Sequence, residues 1–174
     1  MKKIIYLTII IAIFIGLSLY FNNQANTKKY LSKWILPTKN ICINNGGKFT
    51  ESHFSQFCKA TYEDAKNICS LNNALLPSKD DLKKFVLSCK GSPNEKPNES
   101  YEVWDENSDN KFYTECYEKK GYLSLTYWSR NISPNYLIDF EDDARFAWMI
   151  RLGFGNIRED HVLNKNYVWC ISDN

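Results

Sequence analysis

Thr61-Tyr62-Glu63-Asp64-Ala65-Lys66-Asn67-Ile68-Cys69 is the stretch whose reading decides the fold. Thr61 stands three residues before Asp64, the spacing at which a side-chain oxygen satisfies an otherwise unpaired N–H of a helix's first turn. Tyr62, Ala65, Ile68 and Cys69 then recur at helical spacing. The segment is predicted to be a short helix with Cys69 on its buried face. Downstream, Pro77, the cap Ser78 and Asp81 announce a second helix, with Leu82, Phe85, Val86 and Cys89 at i, i+3, i+4 and i+7.

Upstream, Ile41-Cys42-Ile43 and Lys48-Phe49-Thr50 flank Asn44-Asn45-Gly46-Gly47, which predicts an N-terminal β-hairpin bracketed by Cys42 and Cys58. From Lys90 to Gly121 the chain is polar and rich in Pro, Asn, Ser and acid, and is expected to be a long loop. The last third returns to strand composition in Leu123–Trp128, Phe146–Ile150 and Tyr167–Ile171, with Gly153-Phe154-Gly155-Asn156 as a turn between the last two. Hairpin, two helices, long loop and antiparallel strands make an α+β arrangement.

The chain opens on Met1-Lys2-Lys3 and then runs from Ile4 to Phe21 without a charge. This is an export signal. At about 18 residues it just reaches the roughly 17 to 25 that span a bilayer's hydrocarbon. Residues 1–21 are therefore expected to be a retained signal anchor, 22–37 a stalk and 38–174 one domain. Signal cleavage and secretion is the alternative. All six cysteines follow the apolar run, an even number that suits a disulfide framework outside the cytoplasm. The net charge of +2 is supplied by Lys2 and Lys3, so the exported region is neutral and has no basic footprint for nucleic acid.

Tyr62–Cys69, Leu76-Pro77-Ser78-Lys79-Asp80-Asp81-Leu82, Tyr127-Trp128-Ser129, Ala147-Trp148 with Gly155-Asn156, and Tyr167-Val168-Trp169-Cys170 occur in that order. Together they resemble the family of bacterial exported domains related to the C-terminal domain of the collagen-like adhesin Lcl. That family reads roughly aromatic-x-x-A-x-x-x-C, R-L-P-[ST]-x-x-E-L, Y-W-S, A-W-x-V-x-F-x-x-G and Y-V-R-C-V. The resemblance covers residues 58–171, and the family is similar in turn to C-type-lectin-like domains, formylglycine-generating enzymes and the tips of intimin-type adhesins. It implies a C-type-lectin-like fold with two short helices on antiparallel strands. It also implies the pairing Cys69–Cys170 and Cys42–Cys58, which leaves Cys89–Cys116 to tether the long loop. Two positions depart from the pattern: Leu75 and Trp169 stand where the family carries arginine.

Calcium-dependent sugar binding needs several hard oxygens converging on one ion. Here Lys96-Pro97-Asn98 puts a lysine where the lectin loop has a carboxylate or amide, and Asn166-Tyr167-Val168-Trp169 replaces the ligand strand. Asp139-Phe140-Glu141-Asp142-Asp143 carries enough charge for a cation, though consecutive acids on a loop are ordinarily just solvated. Asp105 and Glu106 beside Trp104 suggest a glycosidase only if a second matched carboxylate faces them. His53 and His161 are isolated and no C-x-x-C knuckle is present, so zinc and thiol catalysis have little support. Trp104, Tyr113, Tyr117, Tyr122 and Trp128 are aromatic faces near the long loop, suited to sugars or protein hot spots and equally to core packing.

The expected function is an anchored extracytoplasmic binding or adhesion module for a protein or glycan, with no cofactor and no metal. Trp104, Asp105, Tyr113, Asn135, Asp139, Glu141 and Asp142 are its candidate ligand residues. The membrane partner acts through Ile4–Phe21. The rival readings are a formylglycine-type or carbohydrate-active enzyme and a structural subunit of an envelope assembly.

Overall fold

The computed structural model describes residues 13, 15, 17, 18, 34–52, 55–95, 105–134 and 145–172. The chain divides into two compact units, Met1–Lys33 and Trp34–Asn174. In the first, Ile13, Ile15, Leu17 and Ser18 are helical, and the Ser18 hydroxyl donates to the Ile15 carbonyl at 2.9 Å. Among the described residues no helix is long and apolar enough to cross a membrane. Most of the expected anchor, Ile4–Phe21, lies outside the described residues.

The second unit is α+β. Its strands are β1 (Trp34–Ile35), β2 (Lys48–Ser52), β3 (Ser55–Ala60), β4 (Thr126–Ile132), β5 (Phe146–Arg151), β6 (Asn156–His161), β7 (Asn166–Tyr167) and β8 (Cys170–Ile171). Its helices are α1 (Lys39–Asn44), α2 (Tyr62–Leu71), α3 (Lys79–Ser88), α4 (Asp105–Ser108) and α5 (Lys111–Lys119). Six strands form a mixed sheet in the order β2-β3-β7-β4-β5-β6, antiparallel throughout except between β4 and β7. β1 and β8 pair separately, so Trp34 and Ile35, assigned to the stalk from sequence, belong to the folded unit.

The two capped helices form where expected. Thr61 accepts from the Asp64 N–H and buries Tyr62, Ala65, Ile68 and Cys69, while Ser78 and Asp81 make a reciprocal capping box above buried Leu82, Phe85 and Val86. Two expectations fail for identifiable reasons. Ile41-Cys42-Ile43 is helical, because Thr38 caps α1 and Asn45-Gly46 ends it, with Gly46 in the left-handed region at φ 79°. Asn and Gly supply positive φ for a helix C-terminus as readily as for a hairpin turn. The hairpin itself is β2–β3, in the register Lys48↔Lys59 to Ser52↔Ser55.

The second correction concerns Lys90–Gly121, which is not a continuous loop: Asn110 caps α5, which buries Tyr113 and Tyr117 one turn apart. The polar run Asn156–His161, to which the sequence assigns no element beyond a turn at Asn156, is strand β6, held by full antiparallel pairing with β5. A 3-10 turn over Leu152–Phe154 and Gly155, at φ 62°, reverses the chain between them.

The six cysteines form three bridges, Cys42–Cys58, Cys69–Cys170 and Cys89–Cys116. This is the pairing the resemblance implies. Alternation along the strands gives the sheet two packed faces. On one, Trp128, Ala147 and Met149 meet Tyr62, Ala65, Ile68 and the Cys69–Cys170 bridge of α2. On the other, Tyr127 lies under Trp169, which packs on Phe85 of α3 and on Tyr122.

Candidate functional site

Among the described residues, helices cover the second face along only part of its length. Ile150, Ile157 and Tyr127 share it and are buried, where α3 packs against β4 and β5. Farther along β5 the same alternation brings out Trp148 and Phe146. Glu159 and His161 of β6 stand directly opposite them. All four are half-buried. Among the described residues, Trp148 is thus where the sheet surface passes from fully buried to half-buried.

Polar groups converge around that ring. The Lys79 ammonium lies 4.3 Å from the Trp148 ring centroid and 3.5 Å from the Glu95 carboxylate. Lys83 also pairs with Glu95, and with Asp80 at 3.6 Å. The Lys79 backbone N–H donates to Asn131 Oδ1 at 2.8 Å, which fixes the start of α3 to the end of β4. The Ser133 hydroxyl donates to Glu159, and the Ser133 N–H donates to the Phe146 carbonyl at 2.8 Å. Phe146 meets the His161 imidazole edge-to-face at 5.5 Å, and His161 Nδ1 accepts from the Leu163 N–H at 3.2 Å.

The result is a platform of one indole face, two smaller rings, paired cations and three carboxylates. Such a surface can stack on a flat apolar face while exchanging hydrogen bonds around its rim. Residues bordering two further stretches of the chain also lie here. Glu95 precedes residues 96–104 and is paired to Lys79 and Lys83; Ser133 and Arg145 flank residues 135–144 and bond to Phe146 and Val162.

Of the candidates named from sequence, Trp104, Asn135, Asp139, Glu141 and Asp142 lie outside the described residues, as do His53, Lys96-Pro97-Asn98 and the rest of the acidic run. Asp105 begins α4. Tyr113 is placed in the interior, fully buried, with its hydroxyl donating to the Leu152 carbonyl. Burial pushes its pKa well above the ordinary tyrosine value. Tyr117, Tyr122 and Trp128 are also core residues; burial raises Tyr122 to about 12. Asn166, where a lectin calcium strand would begin, donates to Asp160 Oδ2 at 2.7 Å.

Trp148, Lys79, Glu95 and Glu159 were not singled out as site residues from the sequence. Their signal was present in part: once Ala147 and Met149 are assigned to the core, alternation must turn Trp148 to the other face. A separate concavity of about 480 Å³ lies across the sheet's other side, lined by Glu63, Lys66, Asn67, Leu75, Leu76 and Arg130 among others. No protein-family model matches the chain, and no curated protein or solved structure matches it.

Proposed function

We propose that this protein is an extracytoplasmic binding module, held to the membrane by Ile4–Phe21, whose C-type-lectin-like domain presents the Trp148 platform to a protein or glycan ligand. The observation that carries this reading is the half-buried Trp148 ring beneath the Lys79 ammonium, beside residues that border 96–104 and 135–144. The fold assignment draws support from the Cys69–Cys170 bridge between the first core helix and the last strand, as the resemblance implies. Binding is preferred to catalysis because the groups gathered at the platform are already paired into contacts suited to holding a surface. The cysteines are all bonded, which suits a disulfide-stapled binding domain.

Screening the full chain against immobilised glycans and purified envelope proteins tests the proposal. A ligand of the platform should lose about tenfold in affinity with Trp148→Ala, as expected of a buried aromatic anchor. Binding that survives both Trp148→Ala and replacement of residues 96–104 and 135–144 by short Gly/Ser connections refutes the site. N-terminal sequencing tests the anchor: a soluble mature chain beginning near Leu19 or Asn26 overturns retention.

A further inference from the structure

We propose that Cys89–Cys116 is a site of thiol–disulfide exchange, opened by a dithiol reductant whose thiolate attacks Cys116 Sγ while the Lys120 ammonium receives the departing Cys89 thiolate. The inference is independent of the binding role. It rests on exposure and on the placement of one amine.

Exchange requires a thiolate to reach a bridge sulfur. Cys42, Cys58, Cys69 and Cys170 are at most 1% exposed and Cys89 is 2% exposed, so the first two bridges are sealed. Cys116, on α5, is half-buried and is the accessible cysteine of the six. Attack there makes Cys89 the leaving group.

Lys120 lies one turn beyond Cys116, with its Nζ 3.0 Å from Cys116 Sγ and 3.6 Å from Cys89 Sγ. The same amine is 5.9 Å from the Phe85 ring centroid. Among the described residues no carboxylate forms an ion pair with it. A neutral disulfide is a weak acceptor for an ammonium, whereas a thiolate is a strong one. The contact therefore strengthens as the S–S bond breaks, and stabilises the transition state more than the closed bridge. Burial lowers the Lys120 pKa, a cost that a neighbouring thiolate offsets. The ammonium also attracts the anionic nucleophile toward Cys116.

The chemistry balances with one vicinal dithiol as co-reactant, of the kind carried by Cys-x-x-Cys oxidoreductases. Its thiolate bonds to Cys116 Sγ, the S–S bond breaks, and the electron pair leaves on Cys89 Sγ. The second reductant thiol, losing its proton, then attacks the reductant sulfur of the mixed disulfide and expels Cys116 as thiolate. The reductant departs oxidised, and two electrons and two protons have passed to the protein. Helix α5 remains attached through buried Tyr113 and Tyr117 and through Asn110, whose amide donates to the Lys90 carbonyl at 2.8 Å. Opening this bridge thus loosens α5 from α3 and leaves both other bridges closed.

The test is timed reduction of the full chain with dithiothreitol under native conditions, alkylation, and peptide mapping of the labelled cysteines. Cys89 and Cys116 should label together, about tenfold ahead of the other four. Lys120→Met should slow that step by about three- to tenfold, since a less stabilised thiolate is a poorer leaving group, and Lys120→Arg should restore most of the rate. The order of opening is read on the unaltered chain and needs no variant. Equal or earlier opening of Cys42–Cys58 or Cys69–Cys170 overturns the proposal, as does a Lys120→Met protein reduced at least as fast as the parent.

Discussion

The two faces of the six-stranded sheet are held in opposite ways. Against α2 the packing is close and includes small residues: Ala60, Ala65 and Ala147 admit Tyr62 and Trp128, whose rings meet edge-to-face at 5.7 Å. Both polar tips are satisfied by backbone, Tyr62 on the Arg130 carbonyl at 2.6 Å and Trp128 on the Ala60 carbonyl at 2.9 Å. Its bridge is sealed and spans a sequence separation of 101. The opposite face is an aromatic stack of Trp34, Phe85, Tyr122, Tyr127 and Trp169. Its bridge spans only 27 residues and has one half-exposed partner. The first face makes the fold; the second accommodates α4, α5 and the open platform at Trp148.

The largest effects should separate the bridges. Chain-entropy arguments give about 4 to 5 kcal/mol for closing a loop the size of Cys69–Cys170 and about 3.5 kcal/mol for one the size of Cys89–Cys116. Cys69→Ser should therefore destabilise more than Cys116→Ser in urea unfolding, with the gap widened by the unpaired polar atom it leaves in a sealed core. Equal midpoints for the two variants would break the contrast between the faces.

Alkali should strike the aromatic face hardest. Burial raises Tyr113 and Tyr127 far above the ordinary value of 10, and takes Tyr122, like Tyr62 on the other face, to about 12. A raised folded pKa means the folded protein holds the phenolic proton more tightly than the unfolded chain. This stability is complete below pH 10 and is lost as pH rises from there through the folded values. Melting temperature should fall above pH 10, and the phenolate absorbance of these tyrosines should appear together with unfolding. Their titration near pH 10 in a protein that stays folded would contradict the burial described.

A smaller contrast lies in two tyrosine hydroxyls. Tyr113→Phe should cost about 0.5 to 1.5 kcal/mol, because it removes a fully buried hydrogen bond although the Leu152 carbonyl keeps the Gly155 N–H at 3.1 Å, whereas the Arg130 carbonyl freed by Tyr62→Phe belongs to an exposed residue and should cost less. Thermal unfolding of both variants checks the order, and a costlier Tyr62→Phe reverses it.

What the sequence disclosed follows the same division. The α2 side is written locally, in a cap followed by apolar residues at helical spacing, and Thr61 to Cys69 shows both. Helix α5 was hidden because Lys111, Glu115, Glu118 and Lys119 surround its two buried tyrosines, although Asn110 three residues before Tyr113 was a usable cap signal. Strand β6 had no local signal, since Arg158-Glu159-Asp160-His161 gains its order from β5 across the sheet. On a loop Tyr113 would be free to meet a ligand; as part of α5 it turns inward. Trp148 was legible as a strand residue, but its place at the limit of α3's cover is a tertiary fact.

The smallest effect distinguishes the two helices that the sequence announced most clearly. In α3, Ser78 Oγ accepts from the Asp81 N–H at 3.0 Å and Asp81 Oδ2 accepts from the Ser78 N–H at 2.9 Å, so both otherwise unpaired donors are satisfied reciprocally. The Ser78 hydroxyl donates to the same carboxylate oxygen at 2.6 Å. In α2, Thr61 Oγ1 accepts from the Asp64 N–H at the longer distance of 3.4 Å, and its hydroxyl donates to Asp64 Oδ2 at 2.8 Å. Ser78→Ala should cost about 1 kcal/mol and Thr61→Ala about 0.5 kcal/mol, both within the range for lost N-caps. The bridge in α2's last full turn is the reason this weaker start suffices: Cys69 is tied to β8, so α2 is fixed at the end its cap does not reach. Double-mutant cycles should accordingly show stronger coupling for Ser78 with Asp81 than for Thr61 with Asp64. In a protein with Cys69–Cys170 removed, Thr61→Ala should become the more damaging change, because the cap is then what holds α2 in place; a cost unchanged by loss of the bridge would show that cap and disulfide act independently.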